Sequence, residues 1–158
     1  MSFNSKRNIV SIIAGIALLI AYLIYVLGNS APDISNIKSW AIAMLIFIGI
    51  GIVSQIIIMI LFQIFYSIGI AVKERDKDDA EVERIIESTV MEDERDKEIN
   101  QKSSIVGYGC AGVAFIVALF SIAFGLDAVL GLNILLAGFF IGSLVEGIVG
   151  IYHYERGM

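Results

Sequence analysis

The sequence is poor in the residue types on which most catalytic sites and all disulfides depend. Its 158 residues include only one cysteine, one histidine and one proline. Cys110 has no second cysteine with which to form a disulfide within the chain. One histidine and one cysteine, without a glycine-rich phosphate loop, are too few for a nucleophile with its base or for a metal centre. We therefore predict a protein that is not an enzyme and that uses no cofactor and no metal.

Charge is also scarce over most of the chain. Charged residues make up 17% of the sequence and hydrophobic residues 58%, whereas a soluble domain has about 25% charged and about 45–50% apolar residues. No basic patch suited to nucleic-acid phosphates is present, so no direct contact with nucleic acid is predicted. What the chain does contain is several apolar runs of about 20 residues, the length of helix that crosses a bilayer. We therefore predict that the chain is surrounded by membrane lipid.

These runs predict an all-α fold, a bundle of four transmembrane helices, with residues 1–158 forming a single membrane domain. The predicted spans are about 9–27, 40–66, 105–124 and 129–152. The second apolar run continues to Val72, which is too long for one perpendicular crossing, so that helix is expected to tilt or to extend beyond the membrane. The short connection Gly125–Asp127 makes the last two spans an antiparallel pair.

The distribution of lysine and arginine predicts the orientation. Ten of the eleven lie before span one, between spans two and three, or after span four, whereas Lys38 lies in the loop between the first two spans. Positively charged flanks resist translocation and stay on the cytoplasmic side. We therefore predict a multi-pass protein of the plasma (inner) membrane with both termini in the cytoplasm.

The segment 73–102 carries 12 acidic and 7 basic residues, which accounts for the whole net charge of −5. Val82, Ile85, Ile86 and Thr89 follow the spacing of an amphipathic helix. Thr89 and Glu92 match a capping box, and Lys97 lies four residues after Asp93. The pattern predicts a cytoplasmic helical hairpin, in which span two continues inward, the chain turns near Ser88, and a second helix leads into span three.

Two interpretations of this hairpin remain open. It is either a solvated connector or a docking surface for a cytoplasmic protein partner or for a second copy of the chain. Interspersed lysines and arginines, and the absence of an Asp-x-Asp-x-Asp-Gly loop, count against a metal site. The candidate docking residues are Val82, Ile85, Ile86, Asp93, Glu94, Arg95, Asp96 and Lys97.

The run Asp93-Glu94-Arg95-Asp96-Lys97 before a span resembles a segment of uncharacterised small multi-pass membrane proteins of bacteria and archaea. The tail from Tyr152 to Gly157 is similar to a tyrosine-arginine-arginine-glycine ending found in some of them, although Glu155 stands where the first arginine would be. Such proteins are often encoded beside small helix-turn-helix regulators. The resemblance therefore implies a sensing or regulatory role, and it implies no catalytic residues.

Glu146 is the one acidic residue within a predicted span. A charged carboxylate in hydrocarbon is costly, so such a residue faces the protein interior and marks a candidate functional site. Gly138, Gly142 and Gly150 share its helix face at intervals of four residues, which predicts close packing against another helix. On span two, Gln55 and Gln63 lie on one face, and the height of Gln63 predicts a hydrogen bond with Glu146.

This intramembrane polar site also has two interpretations. A protonated Glu146 held by a neighbouring amide or serine would fix the register of the helices. Alternatively, a carboxylate with a raised pKa would respond to protons or cations, as a transporter or sensor requires. We predict a non-catalytic sensing, regulatory or interaction subunit that acts through its charged hairpin. The alternative is a small proton- or cation-coupled transporter or channel component that uses Glu146, and a homo-oligomer is expected in either case.

Overall fold

The computed structural model describes residues 3–74, 78–90 and 93–156. Five helices occupy these ranges: α1 (Phe3–Leu27), α2 (Ile37–Lys73), α3 (Asp79–Val90), α4 (Glu94–Ala123) and α5 (Ala128–Arg156). All of them except α3 are long and apolar enough to cross a membrane. The prediction of an all-α chain with four long apolar helices is confirmed, and these helices have the length and composition expected of a multi-pass membrane protein.

Helix α5 lies at the centre of the bundle. It packs against α4 along most of its length and against α1, whereas α2 packs mainly against α1 and touches α5 only slightly. Asn8 of α1 lies beside Gly150 of α5, and the Tyr22 hydroxyl donates a hydrogen bond to Asn133 Oδ1 at 2.7 Å. The helices α1 and α5 are therefore antiparallel, so α1 begins and α5 ends at the same end of the bundle. We call it the termini end and the other the loop end.

The loop end holds the apolar core of the bundle. Its buried members are Tyr22, Trp40, Met44, Val129 and Leu136. Phe47 and Phe140 pack against this cluster, and Phe47 meets the Tyr22 ring edge-on with centroids 5.1 Å apart. Three helices, α1, α2 and α5, thus close on one another at the loop end, which leaves space between them towards the termini end.

Helix α2 extends past the start of α1 at the termini end. The Phe3 ring packs on Phe62 and Tyr66, with centroids 5.5 and 4.7 Å away, and Lys6 Nζ lies 5.4 Å from the centre of the Tyr66 ring. Tyr66 is therefore level with the beginning of α1. At 1.5 Å per residue, the rest of α2 to Lys73 projects about 10 Å further. This extension accounts for an apolar run longer than one bilayer crossing.

The helices of the charged segment begin and end at different residues from those predicted. Helix α2 ends at Lys73, and α3 then runs through Ser88 to Val90, so the predicted turn near Ser88 is wrong. The Ser88 hydroxyl donates to the carbonyl of Ile85 at 3.0 Å, which lets it remain inside a helix instead of capping one. Glu92, the predicted capping partner of Thr89, lies outside the described residues.

The cap that begins α4 is formed by Asp93. Its Oδ1 accepts a hydrogen bond from the backbone N–H of Asp96 at 2.7 Å, and its own backbone N–H donates to Asp96 Oδ2 at 3.2 Å. This reciprocal pair satisfies two free N–H groups at the positive end of the helix. With Asp93 used as the cap, Lys97 pairs with Glu94 at 3.7 Å, and the predicted Asp93–Lys97 pair is wrong.

A tight turn joins α4 to α5. Gly125 adopts a φ of +83°, a left-handed conformation that residues with a Cβ rarely adopt. The N–H of Gly125 donates to the carbonyl of Ile122, and that of Leu126 donates to the carbonyl of Ser121, each at 3.0 Å. This pair of bonds is the Schellman ending, and it reverses the chain so that α5 returns along α4.

Candidate functional site

Glu146 lies between α5 and α4, half-buried near the termini end. Its Oε1 accepts a hydrogen bond from the Ser104 hydroxyl of α4 at 2.5 Å. The prediction that Glu146 pairs with Gln63 is wrong, because the side chain of Gln63 is exposed on α2. Helix α4, and not α2, packs along the face of α5 that carries Glu146.

Close contact between α4 and α5 brings Ser104 within reach of Glu146. A Cβ on Gly142 would lie 2.7 Å from the carbonyl oxygen of Gly107, and a Cβ on Gly138 would lie 2.0 Å from the Cβ of Ala114. A Cβ on Gly107 would lie 3.0 Å from Glu146 Oε2. The absence of side chains at these positions lets the two backbones approach, which is the usual role of small residues between membrane helices.

Gly150 has a different neighbour from the other glycines of this face. A Cβ at this position would lie 2.6 Å from Nδ2 of Asn8 and 3.5 Å from the Ser103 hydroxyl. Gly150 thus makes room for a polar side chain of α1 beside α4 and α5. Three helices meet here with polar groups facing one another.

A polar cavity of about 340 Å³ lies at this meeting point. Glu146 and Ser104 line it together with Met59 and Gly147, and with further polar side chains: Arg7, Asn8, Ser11, Asn100, Ser103 and Ser143. Its volume lies in the range of small-molecule pockets. The cavity therefore offers one carboxylate, one guanidinium, and several hydroxyl and amide groups to a ligand.

Gln55, a predicted member of the intramembrane polar site, contacts α1. Its side-chain Nε2 donates to the hydroxyl of Ser11 on α1. Ser11 lines the cavity, so Gln55 closes the polar region on the side facing α2. The three residues of the predicted intramembrane site are thus separated: Glu146 in the cavity, Gln55 at its edge, and Gln63 on the outside.

The predicted docking residues of α3 are partly covered. Val82, Ile85 and Ile86 are half-buried, whereas Glu83, Arg84 and Glu87 are exposed. Helix α3 packs mainly against α2, and the apolar stripe is its less exposed face. At the start of α4, the side chains of Glu94, Arg95 and Lys97 are exposed and those of Asp93 and Asp96 form the cap. The surface left to a partner is therefore charged.

Sequence reasoning missed the residues that complete the cavity. Ser104, Arg7, Asn8, Asn100 and Ser103 were not singled out, because each lies at or outside a predicted membrane boundary. The available signal was their spacing, since Asn100, Ser104 and Gly107 follow one helix face towards Glu146.

Among the residues that the structure describes, no group of three or more histidine, cysteine, aspartate or glutamate side chains is arranged so that it could hold a metal ion. No protein-family model, no curated protein and no solved structure matches the chain.

Proposed function

We propose that this membrane protein is a non-catalytic sensor, which binds a small ligand in the Glu146 cavity and reports it to a cytoplasmic protein through its charged segment. One observation carries the proposal: α4 is a single helix that both lines the cavity and carries the charged residues. Asn100, Ser103 and Ser104 line the cavity, and the capped beginning of the same helix lies at Asp93. Between Asp93 and Ser104 the helix rises about 16 Å.

This geometry supports a mechanical route from ligand to partner. A ligand that competes for Glu146 alters the Ser104–Glu146 hydrogen bond, which is a polar contact between α4 and α5. A change in that contact shifts α4 relative to α5, and the rigid helix carries the shift to Glu94, Arg95 and Lys97. A ligand moves such an equilibrium only by as much as it favours one arrangement over the other.

The partner proposed for the charged segment is a cytoplasmic protein with a basic surface. Acidic residues outnumber basic ones by five in segment 73–102, and Glu83, Glu87 and Glu94 are exposed. Complementary charge mainly sets the rate and specificity of association. The apolar stripe of α3 then holds α3 against α2 and does not itself contact the partner.

The topology belongs to the same proposal, with both termini and segment 73–102 on the cytoplasmic side of the plasma membrane. It is tested in a Cys110→Ala background with an impermeant maleimide on intact cells. Ile34→Cys, in the loop between α1 and α2, should react, whereas Glu87→Cys on α3 should react only after lysis. Labelling of Glu87→Cys in intact cells would show that the orientation is the opposite of the proposed one.

The sensor itself is tested by crosslinking and pull-down from membranes. Glu146→Gln keeps an oxygen for the Ser104 hydroxyl but removes the charge, and we expect it to change partner recovery severalfold although it lies far from the partner. Glu155→Gln, an exposed acid of the same helix, is the matched control and should leave recovery unchanged. Replacement of Glu83, Glu87 and Glu94 by glutamine should abolish recovery of the partner. Equal recovery with every variant would refute the sensor.

A transporter requires access to the site from both ends of the bundle. The loop end is filled by the cluster around Tyr22, Trp40 and Leu136, which favours a site open to one side and hence a sensor. Flux of protons or cations into liposomes that disappears with Glu146→Gln would instead identify the protein as the transporter.

A further inference from the structure

We infer that the Glu146 cavity and a neighbouring apolar cleft together hold one lipid, whose headgroup carries both a phosphate and an ammonium group. The inference rests on the proposed function, because it names the chemical class of the ligand that the cavity would sense. Three observations carry it: the cleft joins the cavity, the polarity changes from one to the other in the direction of a bilayer leaflet, and the cavity carries one charge of each sign.

The apolar cleft lies between α1, α2 and α5 and has a volume of about 460 Å³. Leu18, Phe47, Ile52 and Phe140 are among the apolar residues that line it. Ile52 and Phe139 at its sides are 58% and 57% exposed, and α2 touches α5 only slightly. In a membrane-spanning bundle, this face opens sideways to lipid and not to water.

The cleft and the polar cavity are adjacent. Ser11 of α1 and Ser143 of α5 line both of them. Gln55, hydrogen-bonded to Ser11, lies at the junction on the side of α2. A ligand that entered both spaces would pass between Ser11 and Ser143, with its polar part beside Glu146 and its apolar part beside Phe47 and Leu18.

The order of the two spaces matches the direction of a lipid in one leaflet. The cavity lies at the termini end, where Arg7 and Asn8 belong to the beginning of α1. The cleft continues from Ser11 and Gln55 towards Phe47, which packs against the core of the loop end. From Gln55 to Phe47 the cleft runs about 12 Å along α2. A lipid of the leaflet at the termini end has this arrangement, headgroup outward and chains towards the bilayer centre.

The charges of the cavity match a zwitterionic headgroup. Arg7 lines the cavity and supplies a guanidinium, a cation well suited to phosphate. Glu146 supplies a carboxylate, and only its Oε1 has a hydrogen-bond partner among the described residues. Its Oε2, which lies beside Gly107 of α4, is the acceptor that the inference assigns to the ammonium group. Asn8 and Ser143, which also line the cavity, offer hydrogen bonds to the remaining headgroup oxygens.

The test measures lipid binding to the full-length protein in detergent by native mass spectrometry. The probes are phosphatidylethanolamine, phosphatidylglycerol, which lacks the ammonium group, and glycerophosphoethanolamine, which lacks the chains. We expect one phosphatidylethanolamine per chain, and binding of the other two probes at least about tenfold weaker. Glu146→Gln should weaken the binding of phosphatidylethanolamine about tenfold and leave the binding of phosphatidylglycerol unchanged, since it removes only the partner of the ammonium group.

Matched variants separate the cleft from the cavity. Ser143→Phe obstructs the junction between the cavity and the cleft and should weaken the binding of phosphatidylethanolamine about tenfold. Ile148→Phe, on an exposed position of the same helix outside both spaces, should have no effect. Binding of all lipids alike, or no change with Glu146→Gln, would overturn the inference. Equal binding of glycerophosphoethanolamine would identify a free zwitterion, and protein dimers without lipid would place a second copy in the cleft. Either result would also overturn it.

The inference about the lipid and the proposal of a sensor can be refuted independently of each other. If phosphatidylethanolamine does not bind but Glu146→Gln still changes partner recovery, the class of ligand is wrong and the sensor stands. If the lipid binds as expected but no variant of the cavity changes partner recovery, the lipid site is real and the sensor is wrong.

Discussion

Replacement of Gly142 by alanine tests the contact on which the whole site depends. The added Cβ would lie 2.7 Å from the carbonyl oxygen of Gly107, and ordinary contact begins near 3.4 Å. The obstacle is backbone, so no side chain can rotate away, and α4 must move from α5 by about 0.7 Å, the difference between those distances. Overpacking of this kind costs about 1–3 kcal/mol.

Gly112→Ala on α4 is the matched control, because nothing lies within 4 Å of a Cβ at that position. Alanine there should be neutral or should stabilise the helix by up to about 1 kcal/mol. At about 2–4 °C per kcal/mol for a chain of this size, a cost of about 2 kcal/mol lowers the Tm of the Gly142→Ala protein by about 4–8 °C. The measurement is thermal unfolding in detergent, followed by circular dichroism.

The same displacement affects the site. Ser104 lies one turn of α4 from Gly107, so a shift of about 0.7 Å, taken from the Gly142 contact, would lengthen its 2.5 Å bond to Glu146 towards the limit of a hydrogen bond. A Gly142→Ala protein as stable as the Gly112→Ala protein would show that α4 and α5 are not in contact here, and the description of the cavity would be wrong.

Three further predictions concern local interactions. Asp93→Ala removes the cap of α4, costs about 1 kcal/mol, and should speed hydrogen exchange of the first amides of that helix; unchanged exchange would contradict the cap. Tyr22→Phe removes the hydrogen bond to Asn133 and should lower the Tm by about 2–4 °C; an unchanged Tm would show that the bond contributes nothing. Hydrogen bonds from the Ser35 side chain and backbone lower the pKa of Asp33, so the stabilisation from this loop is present above the unfolded pKa and is lost as the pH falls through the depressed folded value. A carbon-detected NMR titration should give Asp33 a midpoint that rises with Ser35→Ala, and a midpoint unaffected by that change would refute the assignment.

The four long apolar helices were predictable because their signal is local. An apolar run long enough for a bilayer crossing is visible in the sequence whatever its neighbours are. The same is true of the close packing at Gly138 and Gly142, where a Cβ would overlap α4. What these patterns do not contain is the identity of the neighbouring helix.

The Glu146 pair shows this limit. The rise per residue places Gln63 near the height of Glu146, but height does not say which helices are adjacent. The tight turn at Gly125 makes α4 the neighbour of α5 along its length, so the partner is Ser104 and Gln63 is left exposed. Pairing between helices depends on turns and packing that act over the whole chain.

The breaks in the charged segment were missed for a related reason. Thr89 and Glu92 fit a capping box by spacing, and so do Asp93 and Asp96, because many polar residues lie close together there. The choice between them depends on small differences in free energy. The Ser88 hydroxyl bonds to the carbonyl of Ile85, which allows α3 to continue, and Asp93 begins the next helix.

The central place of α5 determines when the bundle can assemble. The contacts that hold α1 and α4 in one body run mainly through α5, which is synthesised after the other four described helices. Until it has entered the bilayer, α1 with α2 and the newly made α4 have little to keep them together, and the polar groups of the future cavity face lipid. Ribosome stalling before residue 128 should therefore leave fragments that membrane proteases remove, whereas synthesis through residue 156 lets the polar groups of α1, α4 and α5 come together.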